Sequence, residues 1–123
     1  MSYFQVSLDI IYQSLVAGKF DLAVTDEIVL EYEEIIQKKY GVSTTHAFIS
    51  LLSELPNVHY LNSYYRWKLI EADPDDNKYC DCAVAGKADY LVTEDNHFNV
   101  LKTISFPKIS SLSIEEFAKM LNQ

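Results

Sequence analysis

The chain is poor in the residues that interrupt or cross-link a fold. Three Gly and three Pro in 123 residues leave no flexible tract between two folded units, and there is no repeat or low-complexity segment. With 49% hydrophobic residues, a single domain spanning residues 1–123 around one sizeable core is expected. Cysteine is nearly absent: Cys80 and Cys82 stand one residue apart, where on a helix they point in different directions and do not readily form a disulfide. They read as small apolar helix residues in a reducing compartment. No apolar run reaches membrane-spanning length, and MSYFQVSLDI lacks a basic segment followed by an apolar one. A cytoplasmic protein with no membrane partner is expected. Positive charge is scarce as well, with 10 Lys and Arg against 18 acids and a net charge of −8. Such a balance repels a polyanion unless a metal or a basic partner reverses the local field, which argues against a simple nucleic-acid-binding module.

What is present alternates between helical and strand patterns. Leu8, Ile11, Tyr12, Leu15 and Val16 form one helical face, with Ser7 as its cap and Gly18 as its stop. FDLAVT reads as a short buried strand. From Asp26 a helix carries acids early and lysines late and ends at Gly41, and a second helix opens at Ser43 or Thr44 and runs to Pro56. NVHYL reads as a strand, while SYYRWKLI is ambiguous between a strand and an irregular connection. After a turn at Asp73 to Asp75, NKYCDCAVAGK reads as a helix and YLVT as a strand. NHFNVLKTI is a short helix or a loop, PKISSL a last extended piece, and Ser113 with Glu116 makes a capping box for IEEFAKML. This alternation predicts an α/β fold around a mainly parallel sheet.

Geometry then gathers acids. A helix from about Asp76 to Lys87 climbs roughly 18 Å, and a five-residue strand returns nearly the same distance, so Asp95 comes back beside Asp76. The strand FDLAVT ends at the mouth of the helix that bears Glu31. In a parallel sheet all strand C-termini share the edge where ligands bind, so Glu31, Asp76 and Asp95 are expected to converge in one cleft. Convergent carboxylates repel one another and persist by protonation or by binding cations. Hard oxygen ligands select Mg²⁺ or Mn²⁺, and such ions support hydrolysis of a phosphodiester. Taken singly, each acid also has an ordinary role in a helix start, a solvent face or a turn; their convergence is what points to chemistry.

Further positions belong to this reading. Asp81 lies about 140° around the helix from Asp76, so it either supports the cleft from the side or faces solvent. Thr93 and His97 flank Asp95, and His97 either contacts a phosphate or caps a turn. The aromatics Tyr60, Tyr64, Tyr65 and Trp67 either stack bases or fill the core or a partner surface, with only Arg66 and Lys68 interleaved.

The run from Asp76 through Ala83 to ADYLVTED resembles the second half of PIN domains, in particular the VapC-like toxins of bacterial toxin–antitoxin systems. The matching positions are Asp76, Ala83, Ala88, Asp89, Thr93 and Asp95. GKFDLAVTDEIVLEYEEII resembles the family's second strand and acid-bearing helix, with Glu31 at the helical Glu, and PKISSLSIEEFAKML resembles its closing strand and helix. The resemblance implies a three-layer sandwich with a mainly parallel central sheet flanked by helices. It also implies Mg²⁺- or Mn²⁺-dependent endoribonuclease activity on single-stranded RNA with Glu31, Asp76 and Asp95 as catalytic and metal-binding residues. Asp81, Thr93 and His97 would support them, a cognate antitoxin would block the cleft, and the chain would form a homodimer.

One departure matters. PIN domains begin with a central strand whose terminal Asp is a principal metal ligand, whereas only MSYFQV precedes the helix expected from Ser7, and it contains no Asp. The expectation is an N-terminally short domain lacking that strand. Asp9 substitutes only if it ends a strand and starts the helix without a loop. The alternative function is therefore a degenerate PIN domain that does not cleave and binds an antitoxin or another partner. A phosphatase-like or receiver-like protein would need an acceptor Asp on its first strand and a Lys near the cleft, and the sequence supplies no convincing pair.

Overall fold

The computed structural model describes residues 3–122. Helix α1 (Tyr3–Val16) leads into strand β1 (Leu22–Val24), the kinked helix α2 (Asp26–Glu54) and strand β2 (Val58–Tyr60). A 3₁₀ turn at Pro74–Asp76 runs into α3 (Asn77–Ala85), followed by β3 (Leu91–Val92), a 3₁₀ segment at Asn96–Thr103, β4 (Ser111–Leu112) and α4 (Ile114–Leu121).

Most elements stand where the residue pattern puts them, for local reasons that can be named. Thr25 caps α2 by accepting the Ile28 N–H at 3.4 Å, and Asp26 and Glu27 lie in its first turn, where the helix dipole favours acids. Gly41, at φ 87°, breaks the helix where a side chain would be strained. The hydroxyl that bonds to this kink belongs to Thr45, which donates to the Gly41 carbonyl at 2.9 Å, and not to Ser43 or Thr44. Ser113 and Glu116 form the expected capping box of α4. The ambiguous NHFNVLKTI segment is helical, of 3₁₀ type.

Two expectations change. Helix α1 begins at Tyr3, so Ser7 is buried inside it and is not a cap, and Tyr3–Val6 is helical and not an added strand. No Gly or Pro separates Tyr3 from Ser7, and adding a helical residue upstream is far easier than nucleating a new element. Asp9 consequently sits within α1 and not at a strand end. The strands are parallel as expected, but the described residues form two separate pairs, β1 with β2 and β3 with β4, and not one continuous central sheet. Each strand is three residues or fewer, and no described strand lies between the pairs.

Two hydrophobic clusters match the two strand pairs. Leu15, Val24, Ile28, Leu52, Val58 and Cys82 pack together on one side, and Ile70, Cys80, Leu91, Phe98, Leu101 and Ile109 on the other. Helix α3 belongs to both: its two cysteines, one residue apart, each enter a different cluster. They are free thiols, and burial, first, then the charges of Asp81 and Asp76 push the Cys80 thiol up to about 12, so it packs as a small neutral group. Asn57 ties the first half together by donating to the carbonyls of Leu15 and Phe20 at 2.9 and 2.8 Å. Residues 61–70 form no ladder. Their backbone is held by side chains of α3 instead: Trp67 N–H donates to Asp81 at 3.1 Å, and Ile70 exchanges bonds with the Asn77 amide at 2.8 and 3.1 Å.

Candidate metal centre at the start of α3

Three short stretches deliver the polar groups of the site. The first is the turn DPDD, in which Asp73 caps the 3₁₀ turn by accepting the Asp75 N–H at 3.1 Å and Pro74, its first residue, has its own φ preset near the helical value. This turn sets Asp73 and Asp76 on the same side, three residues apart. The second stretch follows β3: Thr93 Oγ1 accepts the Asp95 N–H at 3.0 Å, and Asp95 in turn accepts the His97 N–H at 2.9 Å. These local bonds fold the chain back so that the His97 ring points at the DPDD turn. The third is the first half of α2, which carries Glu31.

His97 is the hub. Its Nδ1 lies 3.2 Å from Asp76 Oδ2 and 3.4 Å from Asp95 Oδ1. Asp76 is mostly covered, with its side chain 17% exposed, while Asp95 and His97 stand half open at 44% each. The hydrogen bond to Asp76, then the charge of Asp95, raise the imidazole pKa above its ordinary value of 6.5. One ligand atom each from Asp73, Asp76 and His97 lies within 4.8 Å of the others, a spacing at which a single cation reaches all three.

Glu31 stands apart from this cluster, paired at 3.1 Å with Lys78, which also lies 3.5 Å from Asp75. Burial is the largest influence on the Lys78 ammonium and pulls its pKa down, but the hydrogen bond and charge of Glu31, then Asp75, outweigh it and leave the pKa raised. The Lys78 side of the pair is therefore held in its charged form. Of the three acids expected to converge, Asp76 and Asp95 meet through His97, and Glu31 is held next door by a cation.

The PIN domain family model matches residues 4–97. The chain belongs to the PIN domain family. No curated protein and no solved structure matches it. In this PIN domain, Asp81 does not face solvent: it is buried, accepts the Trp67 N–H, and lies 3.8 Å from Arg66, so it fixes the 66–67 segment on α3. Thr93 orients Asp95 through its backbone, as described above. Of the four aromatics, Tyr60, Tyr64 and Tyr65 lie outside the core, at 49%, 88% and 66% exposure, and Trp67 is half-buried.

Two residues of the site were not singled out from the sequence. Asp73 looked like one of several acids at a helix start, although its spacing of three from Asp76 across Pro74 is the signal of a one-sided turn. Lys78 carried no signal, because its role depends on how α2 packs against α3. Among the described residues no helix is long and apolar enough to cross a membrane.

Proposed function

We propose that this PIN domain is a metal-dependent endoribonuclease acting on single-stranded RNA, with Asp73, Asp76, Asp95 and His97 around the ion. The observation that carries the reading is the meeting of Asp76 and Asp95 at the His97 ring in a chain of this family. The donor set fits a divalent ion: carboxylates supply charge, and the imidazole nitrogen suits Mn²⁺ better than Mg²⁺. When bound, such an ion supplies electrostatic stabilisation to a phosphodiester and acidifies a water. The protein's own part is to hold the acids aimed. Asp76 is fixed at the start of α3, Asp95 by the Thr93 hydroxyl, and His97 by the Asp95 carboxylate. Lys78, beside the cluster, offsets the charge that would otherwise repel a phosphate.

On this reading the chain is toxin-like and cytoplasmic, an antitoxin protein covers the cleft, and a homodimer is the working unit. A second reading, a PIN domain that binds a partner without cleaving, is favoured by one observation: Glu31 is tied to Lys78 instead of joining the cluster. Incubating the protein with single-stranded RNA and Mn²⁺ or Mg²⁺, beside EDTA and an Asp76→Asn/Asp95→Asn control, decides between them. Metal-dependent cleavage that disappears in the double variant is the expected result. Wild-type cleavage no greater than that of the variant supports the partner-binding reading.

A further inference from the structure

The segment from Tyr64 to Lys68 and the distant Phe106 build a surface that the metal centre does not use. Trp67 is half-buried, with the Tyr65 ring 4.5 Å away at a 56° tilt and the Phe106 ring 5.8 Å away edge-to-face. The outer two rings are open, at 66% and 80% exposure, and Tyr64 beside them is 88% exposed. Every large exposed apolar residue in this strip is aromatic, so it offers flat π faces and no aliphatic socket for a protein side chain.

Two residues interleaved in the strip, Arg66 and Lys68, also line a pocket of balanced charge. This open pocket of about 210 Å³ is lined by Arg66, Lys68 and Lys78 together with Glu27, Asp75 and Asp81, three cations against three acids in a chain of net −8. Arg66 is held by Glu27 at 3.1 Å, whereas no ion pair to Lys68 is found among the described residues. Lys68 also adopts φ 55°, a left-handed conformation uncommon outside glycine, so the chain is bent here to place an unpaired cation on the pocket wall. The pocket reaches Asp75 and Lys78, which flank Asp76. Asp81 and Asn77 bond the 66–70 backbone to α3, whose N-cap is Asp76, so the 66–70 part of the strip and the candidate metal centre are mounted on one helix.

We propose that this pocket and the Tyr65–Trp67–Phe106 ladder form a track for unpaired nucleotides, with a phosphate beside Lys68 and Arg66 and bases on the rings. Alternating cations and stacking faces are the chemistry of single-stranded nucleic-acid grooves. The inference rests on the nuclease reading for its choice of occupant, but it is tested without cleavage.

Trp67 is the chain's single tryptophan, so its fluorescence reports on the ladder directly. The full chain is titrated in EDTA with short oligouridylate and oligoadenylate at low and moderate salt. A saturable quench that weakens with salt is expected. Affinity should fall roughly ten-fold in Tyr65→Ala and in Phe106→Ala, the loss typical of one stacked base. It should fall several-fold in Lys68→Asn, which removes the charge yet tolerates the left-handed backbone. These side chains are exposed, so unchanged circular dichroism and melting certify that the variants fold. Absence of a quench, or equal affinity in all variants, overturns the track. So does a ladder that serves self-association, seen as a concentration-dependent mass lost in Phe106→Ala with RNA affinity intact. RNA bound by the ladder but never cleaved in Mn²⁺ refutes the nuclease reading and leaves the track standing. Cleavage at equal rates in Tyr65→Ala, Phe106→Ala and Lys68→Asn does the reverse.

Discussion

The two halves that meet at α3 pack alike but handle charge differently. Around the first strand pair, Glu31 and Glu27 are answered by permanent cations, Lys78 and Arg66, each at 3.1 Å, and only the exposed Asp21 pairs with an imidazole, that of His59 at 3.5 Å, among the described residues. Around the second pair, Asp76 and Asp95 share only the His97 imidazole. An ammonium or guanidinium stays charged at every physiological pH, whereas an imidazole can give up its proton and offer a lone pair. The Lys and Arg ties are structural and the Asp76–His97–Asp95 cluster is exchangeable, and that difference is what sets the candidate metal centre apart.

The comparison fails if the halves are not one folding unit, and the largest effects test this. Leu52 and Ile70 are 0% and 1% exposed, one in each cluster. Leu52→Ala and Ile70→Ala should each cost about 2–5 kcal/mol, the range for an aliphatic truncation that leaves a cavity. Because α3 lends Cys82 to one cluster and Cys80 to the other, both variants should shift one shared urea transition, seen alike by Trp67 fluorescence and circular dichroism. Two transitions, with Ile70→Ala moving only the fluorescence-detected one, would show that the halves unfold independently.

How much of this was legible in the sequence follows from which interactions are local. Helices with their own stops and caps were readable: Gly41 punctuates α2 because only its φ suits the kink, and Ser113–Glu116 caps α4 within one turn. The pairing of Asp76 with Asp95 was also readable, because helix and strand lengths nearly cancel. The division into two strand pairs was not readable, since strands of two or three residues leave almost no period to detect. The start of α1 was misplaced because Ser7 looks like a cap, yet nothing before it halts a helix. Glu31 is placed near the cluster by the strand FDLAVT ending at the mouth of its helix, whereas its pairing with Lys78, 47 positions later, is a contact that only the packing of α2 on α3 creates.

The permanent tie can be cut. Lys78→Met keeps the length and the apolar stem of a side chain that is only 11% exposed while removing its charge. Stability should fall by about 1 kcal/mol, because Glu31, 26% exposed, loses its cation but keeps access to water. Mn²⁺ affinity, read by calorimetry, should rise several-fold as Glu31 and Asp75 become free to add negative field at the cluster. Unchanged or weaker Mn²⁺ binding would mean that Lys78 helps to shape the centre and does not merely compete with it.

The exchangeable side predicts a smaller effect with a definite sign. The Asp76 hydrogen bond, then the Asp95 charge, raise the folded-state pKa of His97 above 6.5. Below about 6.5 the ring is protonated whether the chain is folded or not, so the full stabilising contribution is present there. As pH climbs through the raised folded value the folded ring loses its proton and the contribution disappears. In EDTA, the melting temperature should therefore decline over that window more steeply in the wild type than in His97→Gln, which has no proton to lose. Added Mn²⁺ should reverse the trend, because the ion needs the deprotonated nitrogen and its stabilisation grows as the proton leaves. If wild type and His97→Gln keep identical slopes in EDTA, the imidazole is not coupled to the two carboxylates, and the contrast between a permanent and an exchangeable half is lost.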